Sequence, residues 1–165
     1  MPAAFQIVSR SSGKALYPEL ISSDDPTQPG YQPGNDIPSI VQATQDDQDS
    51  TSWWVLTPKG SPQDFLIQPF GLPNLAIGVY ASNLTDLPGL WLILKAAREG
   101  QVWRISRRLE NPPYFFLLEA SNDLLMDVPH GSTADDQAIQ IFTRNEHTNQ
   151  QWTFLPVFAQ LGNDR

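Results

Sequence analysis

The sequence predicts an all-β domain made from three copies of one small unit, each with about four short strands. Three observations predict it. Trp54, Trp103 and Trp152 stand at two equal intervals of 49 residues, and equal intervals of that size mark an internal repeat. The apolar runs are short, rich in Ile, Leu, Val and Phe, and bounded by Gly, Pro, Asn and Asp, as strands are. Fifteen prolines and ten glycines in 165 residues interrupt the chain too often for long helices. A unit this small cannot bury its apolar face alone, so three copies must close around a shared core.

The first copy opens with Phe5-Gln6-Ile7-Val8 and closes with Ser52-Trp53-Trp54. A shift of 49 residues then lays the second copy on the third without a gap. Phe65-Leu66-Ile67 falls on Tyr114-Phe115-Phe116, Leu75–Val79 on Leu124–Val128, and Leu90–Ile93 on Ile139–Phe142. Gln101-Val102-Trp103 falls on Gln150-Gln151-Trp152. From opening aromatic to tryptophan the first copy spans 49 residues against 38 in the others, which places an insertion of 11 in the Asp24–Asp36 region, DDPTQPGYQPGND. In the third copy strands are expected near Tyr114–Glu119, Leu124–Val128, Ala138–Arg144 and Gln151–Pro156. The expected organisation is one domain over 1–165, with repeats at about 1–60, 61–110 and 111–165.

Charge and composition narrow the function classes. Ten basic and eighteen acidic residues give a formal net charge of −8. Such a chain repels phosphate backbones, so neither nucleic acid nor an anionic membrane is an expected partner. Arg104, Arg107 and Arg108 read as part of an exposed strand face. The chain has no cysteine, which excludes disulfides and thiolate metal sites. The longest apolar candidate, Leu87 to Ala97, is broken by Pro88, Gly89 and Lys95, so no membrane insertion is expected. The opening MPAAFQIVSR lacks the charged and apolar regions of a leader, and with the missing cysteines it points to a cytoplasmic location. Asn83-Leu84-Thr85 is a formal glycosylation sequon, read as chance in that context. No nucleophile-elbow, phosphate-loop or metalloprotease motif is present. With two histidines distant in sequence, no catalytic residue, metal or cofactor is expected. The acidic pairs Asp24-Asp25, Asp46-Asp47 and Asp135-Asp136 read as solvated turns.

Three repeats of this size, ending in Gln101-x-Trp103 and Gln150-x-Trp152, resemble the β-trefoil of the ricin B-type lectins. The resemblance covers almost the whole chain. The third copy resembles the family best, with LLMDV, QAIQIFTR and NQQWTF in the family's order. The first copy departs from it, with Ser52 in the glutamine's place. The resemblance implies that each tryptophan packs into the barrel core and that glycans of glycoproteins or glycolipids are the partners. It also implies a saccharide site made of an aspartate ending one strand, an aromatic ending the next, and the Asn and Gln before the tryptophan.

The third copy supplies all four, in Asp127, Phe142, Asn149 and Gln150. A sugar offers vicinal hydroxyls on its rim and C–H patches on its face. Asp127 is assigned to accept hydroxyl hydrogens, since a carboxylate accepts from two neighbours in charge-assisted bonds. Asn149 stands beside it as an amide partner, and Gln150 either orients Asp127 or meets the sugar through its strand end. Ile141 and Phe142 alternate, so Phe142 faces outward when Ile141 faces the core. His130, in the Pro-His-Gly turn, supplements them, while His147 reads as solvated. The other copies lack the set. Gly78, Ile93 and Gly100 occupy its places in the second, and Tyr17 or Pro18, then Thr44, in the first. A single site implies binding near about 1 mM, so useful avidity would require a homo-oligomer. The alternative partner is a protease. β-Trefoil protease inhibitors also occur, and the proline- and glycine-rich insertion of the first copy would stiffen a loop suited to a protease cleft.

Overall fold

A computed structural model describes residues 3–21, 37–46, 48–79, 91–108, 114–120, 124–145 and 147–157. The Asp24–Asp36 insertion and the sequon at Asn83 lie outside the described residues. Thirteen strands are described: β1 (Phe5–Ser9), β2 (Ala15–Ile21), β3 (Ile37–Ala43), β4 (Trp54–Lys59), β5 (Ser61–Pro69), β6 (Leu75–Val79), β7 (Leu92–Ala96), β8 (Trp103–Arg107), β9 (Phe115–Glu119), β10 (Leu125–Asp127), β11 (Gln137–Ala138), β12 (Gln140–Phe142) and β13 (Trp152–Pro156). The only helical pieces among the described residues are short 3₁₀ turns. The fold is an all-β trefoil.

Six strands close into a barrel, because the antiparallel pairs β1–β4, β4–β5, β5–β8, β8–β9, β9–β13 and β13–β1 return to their start. Within each repeat the opening and closing strands meet at an aromatic and a tryptophan: Phe5 with Trp54, Phe65 with Trp103, Phe115 with Trp152. The hairpins β2–β3, β6–β7 and β10–β12 stand on one end of this barrel. Links of Ser39 to Ile93, Gln137–Ala138 to Val41–Gln42, and Trp91 to Gln140 join them to one another. The third of the expected third-copy strands therefore splits. Gln137–Ala138 pairs with the first repeat, and Gln140–Phe142 pairs with its own.

All three repeat tryptophans are fully buried in the main core, with Ile7, Ile67 and Leu117 in the layer beside them. Each indole N–H donates to a backbone carbonyl, Trp54 to Leu16 (3.0 Å), Trp103 to Ile77 (3.4 Å) and Trp152 to Met126 (3.2 Å). The ring delivers its apolar area while its one polar atom stays satisfied.

These bonds and pairs define equivalence between repeats better than counting from the tryptophan, and they correct three alignments. Phe115, not Tyr114, is the counterpart of Phe65, because Phe115 faces Trp152. In the first repeat the place of Asp127 is Tyr17, the residue after the indole's acceptor Leu16. The place of Phe142, which pairs with Leu125, belongs to Ala43 opposite Ala15 rather than to Thr44, and in the second repeat to Lys95 opposite Ala76 rather than to Ile93.

The third repeat's long loop is pinned to the first repeat. Gln42 donates to the carbonyls of Ser132 and Ala134 (2.9 Å each) and Asp135 accepts from Lys14 (2.9 Å) and from the Thr44 amide (2.9 Å). The Lys14 and Thr44 hydrogen bonds hold the Asp135 carboxyl below its usual range. A lowered carboxyl stabilises the fold above its ordinary value of about 3.9 and loses that contribution as pH falls through the folded value. The stability difference between wild type and Asp135→Asn should be present at neutral pH and shrink as pH falls below the ordinary carboxyl value of about 3.9, as read by denaturant titration at neutral and at acid pH. A difference unchanged at the acid end would show that the carboxylate is not what holds this loop.

Candidate functional site

Asp127 is the last residue of β10, and it is fully buried. Three side-chain amides surround its carboxylate. Gln140 donates to Oδ1 (3.0 Å), and Asn149 (3.2 Å) and Gln150 (2.9 Å) donate to Oδ2. A carboxylate offers about four acceptor positions, so one on Oδ1 is left for a further donor. Asp127 is one of the residues bordering an open cavity of about 510 Å³. Around it stand Gln140, Phe142, Asn149, His130 and His147, with Ser11 reaching in from the first repeat.

Each member is set by its local backbone. Ile141 is fully buried and Phe142 is 36 % exposed, as their alternation on β12 requires. Gln140 lies two residues before Phe142, so the same alternation turns it to the same face. It was absent from the expected set, although that alternation was its signal. Asn149 and Gln150 belong to a 3₁₀ turn, Thr148–Gln150. Asn149 anchors itself by donating also to the Val128 carbonyl (3.0 Å), and its own carbonyl accepts the Val128 N–H (3.0 Å).

Gln150 does not meet the cavity and does not sit on a strand. It is fully buried, donates to Asp127 and to the Thr143 carbonyl (2.8 Å), and accepts the Asn145 N–H (2.9 Å). Of its two expected roles, the geometry leaves orientation of Asp127. Gln150→Ala removes three hydrogen bonds of a buried side chain and should cost about 1–3 kcal/mol, readable as a lower denaturation midpoint; an unchanged midpoint would contradict this placement.

His130 is exposed and takes a left-handed backbone (φ 56°) between Pro129 and Gly131, which tips it to the cavity edge. His147 is exposed too, but it lines the same cavity instead of standing apart. Its approach depends on the 3₁₀ turn after it, which no residue pattern announced. Ser11 was missed because it belongs to another repeat, visible only once the barrel closes.

The equivalent places in the other repeats are filled. In the second, a Cβ added at Gly78 would collide with Lys95 Cδ and lie 2.9 Å from its Cγ, and one at Gly100 would lie 2.6 Å from Ala76 Cβ. The Lys95 ammonium donates to the Val79 carbonyl (3.4 Å). In the first, the Tyr17 hydroxyl donates to the Thr44 carbonyl (3.1 Å), and burial pushes its phenol above the usual range. Ser52 is too short for the glutamine's task there. Gln6, from β1, supplies the amide instead, donating to the Ser52 hydroxyl (2.8 Å) and the Asp46 carbonyl (3.0 Å).

Residues 99–163 match the family described as ricin-type beta-trefoil lectin domain-like. No curated protein matches the chain. Among solved structures, the chain is similar to the designed three-fold symmetric protein ThreeFoil at 22% identity, with 92% of this chain and 97% of that one covered and a TM-score of 0.70. It is similar to the Rhizoctonia solani agglutinin at 12% identity, with 94% and 95% covered and a TM-score of 0.72. A Macrolepiota procera ricin B-like lectin in complex with lactose is similar at 16% identity, with 92% and 93% covered and a TM-score of 0.67. Residues 99–163 carry the ricin-type β-trefoil lectin pattern, and the chain as a whole has the fold of the ricin B-like lectins.

Proposed function

We propose that this chain is a lectin that holds galactose-type glycans (galactose, N-acetylgalactosamine or their β-linked disaccharides) in the cavity of the third repeat. One observation carries the reading: a carboxylate, two amides and a half-exposed aromatic ring, Asp127, Gln140, Asn149 and Phe142, converge on one cavity. The Macrolepiota procera lectin bound to lactose supports the class of sugar. A hydroxyl takes the remaining acceptor position of Asp127, a neighbouring hydroxyl meets the Gln140 or Asn149 amide, and the C–H face lies on Phe142. His130 and His147 close the sides. The mechanism is equilibrium binding, with no bond made or broken.

A glycan array with the wild-type chain, followed by titration with lactose, tests the reading. Saturable binding to β-galactosides supports it, and an array blank for galactose-type glycans sinks it. Phe142→Ala should weaken lactose binding by roughly tenfold or less, the range of about 0.5–1.5 kcal/mol for a ring contact, and leave the melting temperature in place because the ring is already part-exposed. Equal affinity of the two proteins would remove Phe142 from the site. With one such site per chain the monovalent dissociation constant falls near about 1 mM, so biological use would call for several copies held together.

A further inference from the structure

The opposite end of the barrel carries a second cavity, about 540 Å³ in volume, lined by Phe5, Leu56, Phe65, Ile105, Phe115, Phe154 and Thr153. It follows the pseudo-threefold symmetry. Phe5, Phe65 and Phe115 open the three repeats, and Leu56, Ile105 and Phe154 each stand two residues after a core tryptophan. Ile7, Ile67 and Leu117, two residues further along the same strands, are fully buried in the main core, against which Leu56, Ile105 and Phe154 pack. Yet all six apolar side chains lining the cavity are only partly buried. Cavities of this size with mostly apolar and aromatic walls are the usual form of a small-ligand site.

The lip gives the ligand's polarity. At the mouth each of the three phenylalanines pairs with a residue of the neighbouring strand, Phe5 with Pro156, Phe65 with Pro58, and Phe115 with Arg107. Two of these partners are neutral and the third is a cation. Trp103, Ile105 and Arg107 alternate along β8, so Arg107 continues the inward-facing row, and it is exposed. An exposed arginine on the inward-facing row beside an apolar cup complements an elongated ligand with a hydrocarbon body and a single anionic end, a local attraction that works against the chain's net charge of −8.

We propose that the barrel mouth binds a free long-chain aliphatic carboxylate, its tail among Phe5, Phe65 and Phe115 and its acid group on Arg107. This site is independent of the glycan cavity.

The test is titration of the full chain with laurate and with dodecanol, the same tail without the charge, followed by displacement of an environment-sensitive fluorescent fatty acid. Laurate should bind one per chain, about tenfold or more tighter than dodecanol, and Arg107→Ala should bring laurate down to the dodecanol level. Arg107 is exposed, so this variant keeps the fold, which an unchanged melting curve verifies. Leu56→Trp, filling the cup, should abolish binding of both while the circular dichroism spectrum stays native. Should the Leu56 variant unfold, the Arg107 comparison alone decides. No laurate binding below its micelle concentration overturns the proposal, and so does laurate affinity indifferent to Arg107.

Discussion

Trp152→Ala should lower the stability of this protein by about 3–5 kcal/mol. The ring is fully buried in the main core, a cluster that draws on all three repeats. Truncation removes its transfer energy and leaves a cavity that a closed barrel cannot collapse, because every barrel strand is paired on both sides. The Met126 carbonyl also loses its donor, for about another 1 kcal/mol. At ~2–4 °C per kcal/mol for a chain of this size, the melting temperature should drop by roughly 10 °C or more. Trp54→Ala and Trp103→Ala should behave alike, since each indole makes the same kind of bond. Leu72→Ala, at an exposed position, is the control and should stay within about 0.5 kcal/mol. A melting curve of Trp152→Ala that overlays wild type would contradict the core placement.

The tryptophans were legible because their role leaves no freedom. A large ring at a fixed depth in three related places must recur at a fixed interval, and it does. The opening strands were less legible. Tyr114 and Phe115 are adjacent aromatics, and a one-residue slip between them changes nothing in composition while reversing every side chain. Backbone pairing with Trp152 decides the matter. The places of Ala43 and Lys95 were miscounted for a related reason. Counting back from the tryptophan assumes equal loops, but the second repeat puts a 3₁₀ turn, Ala97–Glu99, directly after β7. In the site itself, Asp127, Asn149 and Phe142 follow from the resemblance to the ricin B-type lectins, and alternation adds only that Phe142 faces outward. Of the three amides on Asp127, Gln140 was not among those expected, since it arrives across the hairpin, and the choice between the two roles of Gln150 depended on the fold of its turn.

That covering shapes what Asp127→Ala does. If the carboxylate accepts a sugar hydroxyl, its removal deletes a charge-assisted bond of about 1.5–3 kcal/mol. The variant then loses on the order of 10–100-fold in lactose affinity, which from a millimolar start ends measurable binding. The fold pays for the change as well, against the simplest expectation that a surface-site substitution is silent. Gln150 keeps the Thr143 carbonyl and Asn149 keeps the Val128 carbonyl, but the Gln140 amide loses the acceptor it has in Asp127. A cost of about 1–3 kcal/mol follows, leaving the protein folded with a lower midpoint. Asp127→Asn is no milder. Both carboxylate oxygens accept, so the new NH₂ must face the Gln140 donor on one side or those of Asn149 and Gln150 on the other. Calorimetric titration with lactose, run beside thermal melts of both variants, separates binding from folding. A folded Asp127→Ala that still binds lactose as wild type does would leave the cavity without its acceptor and the lectin reading without its centre.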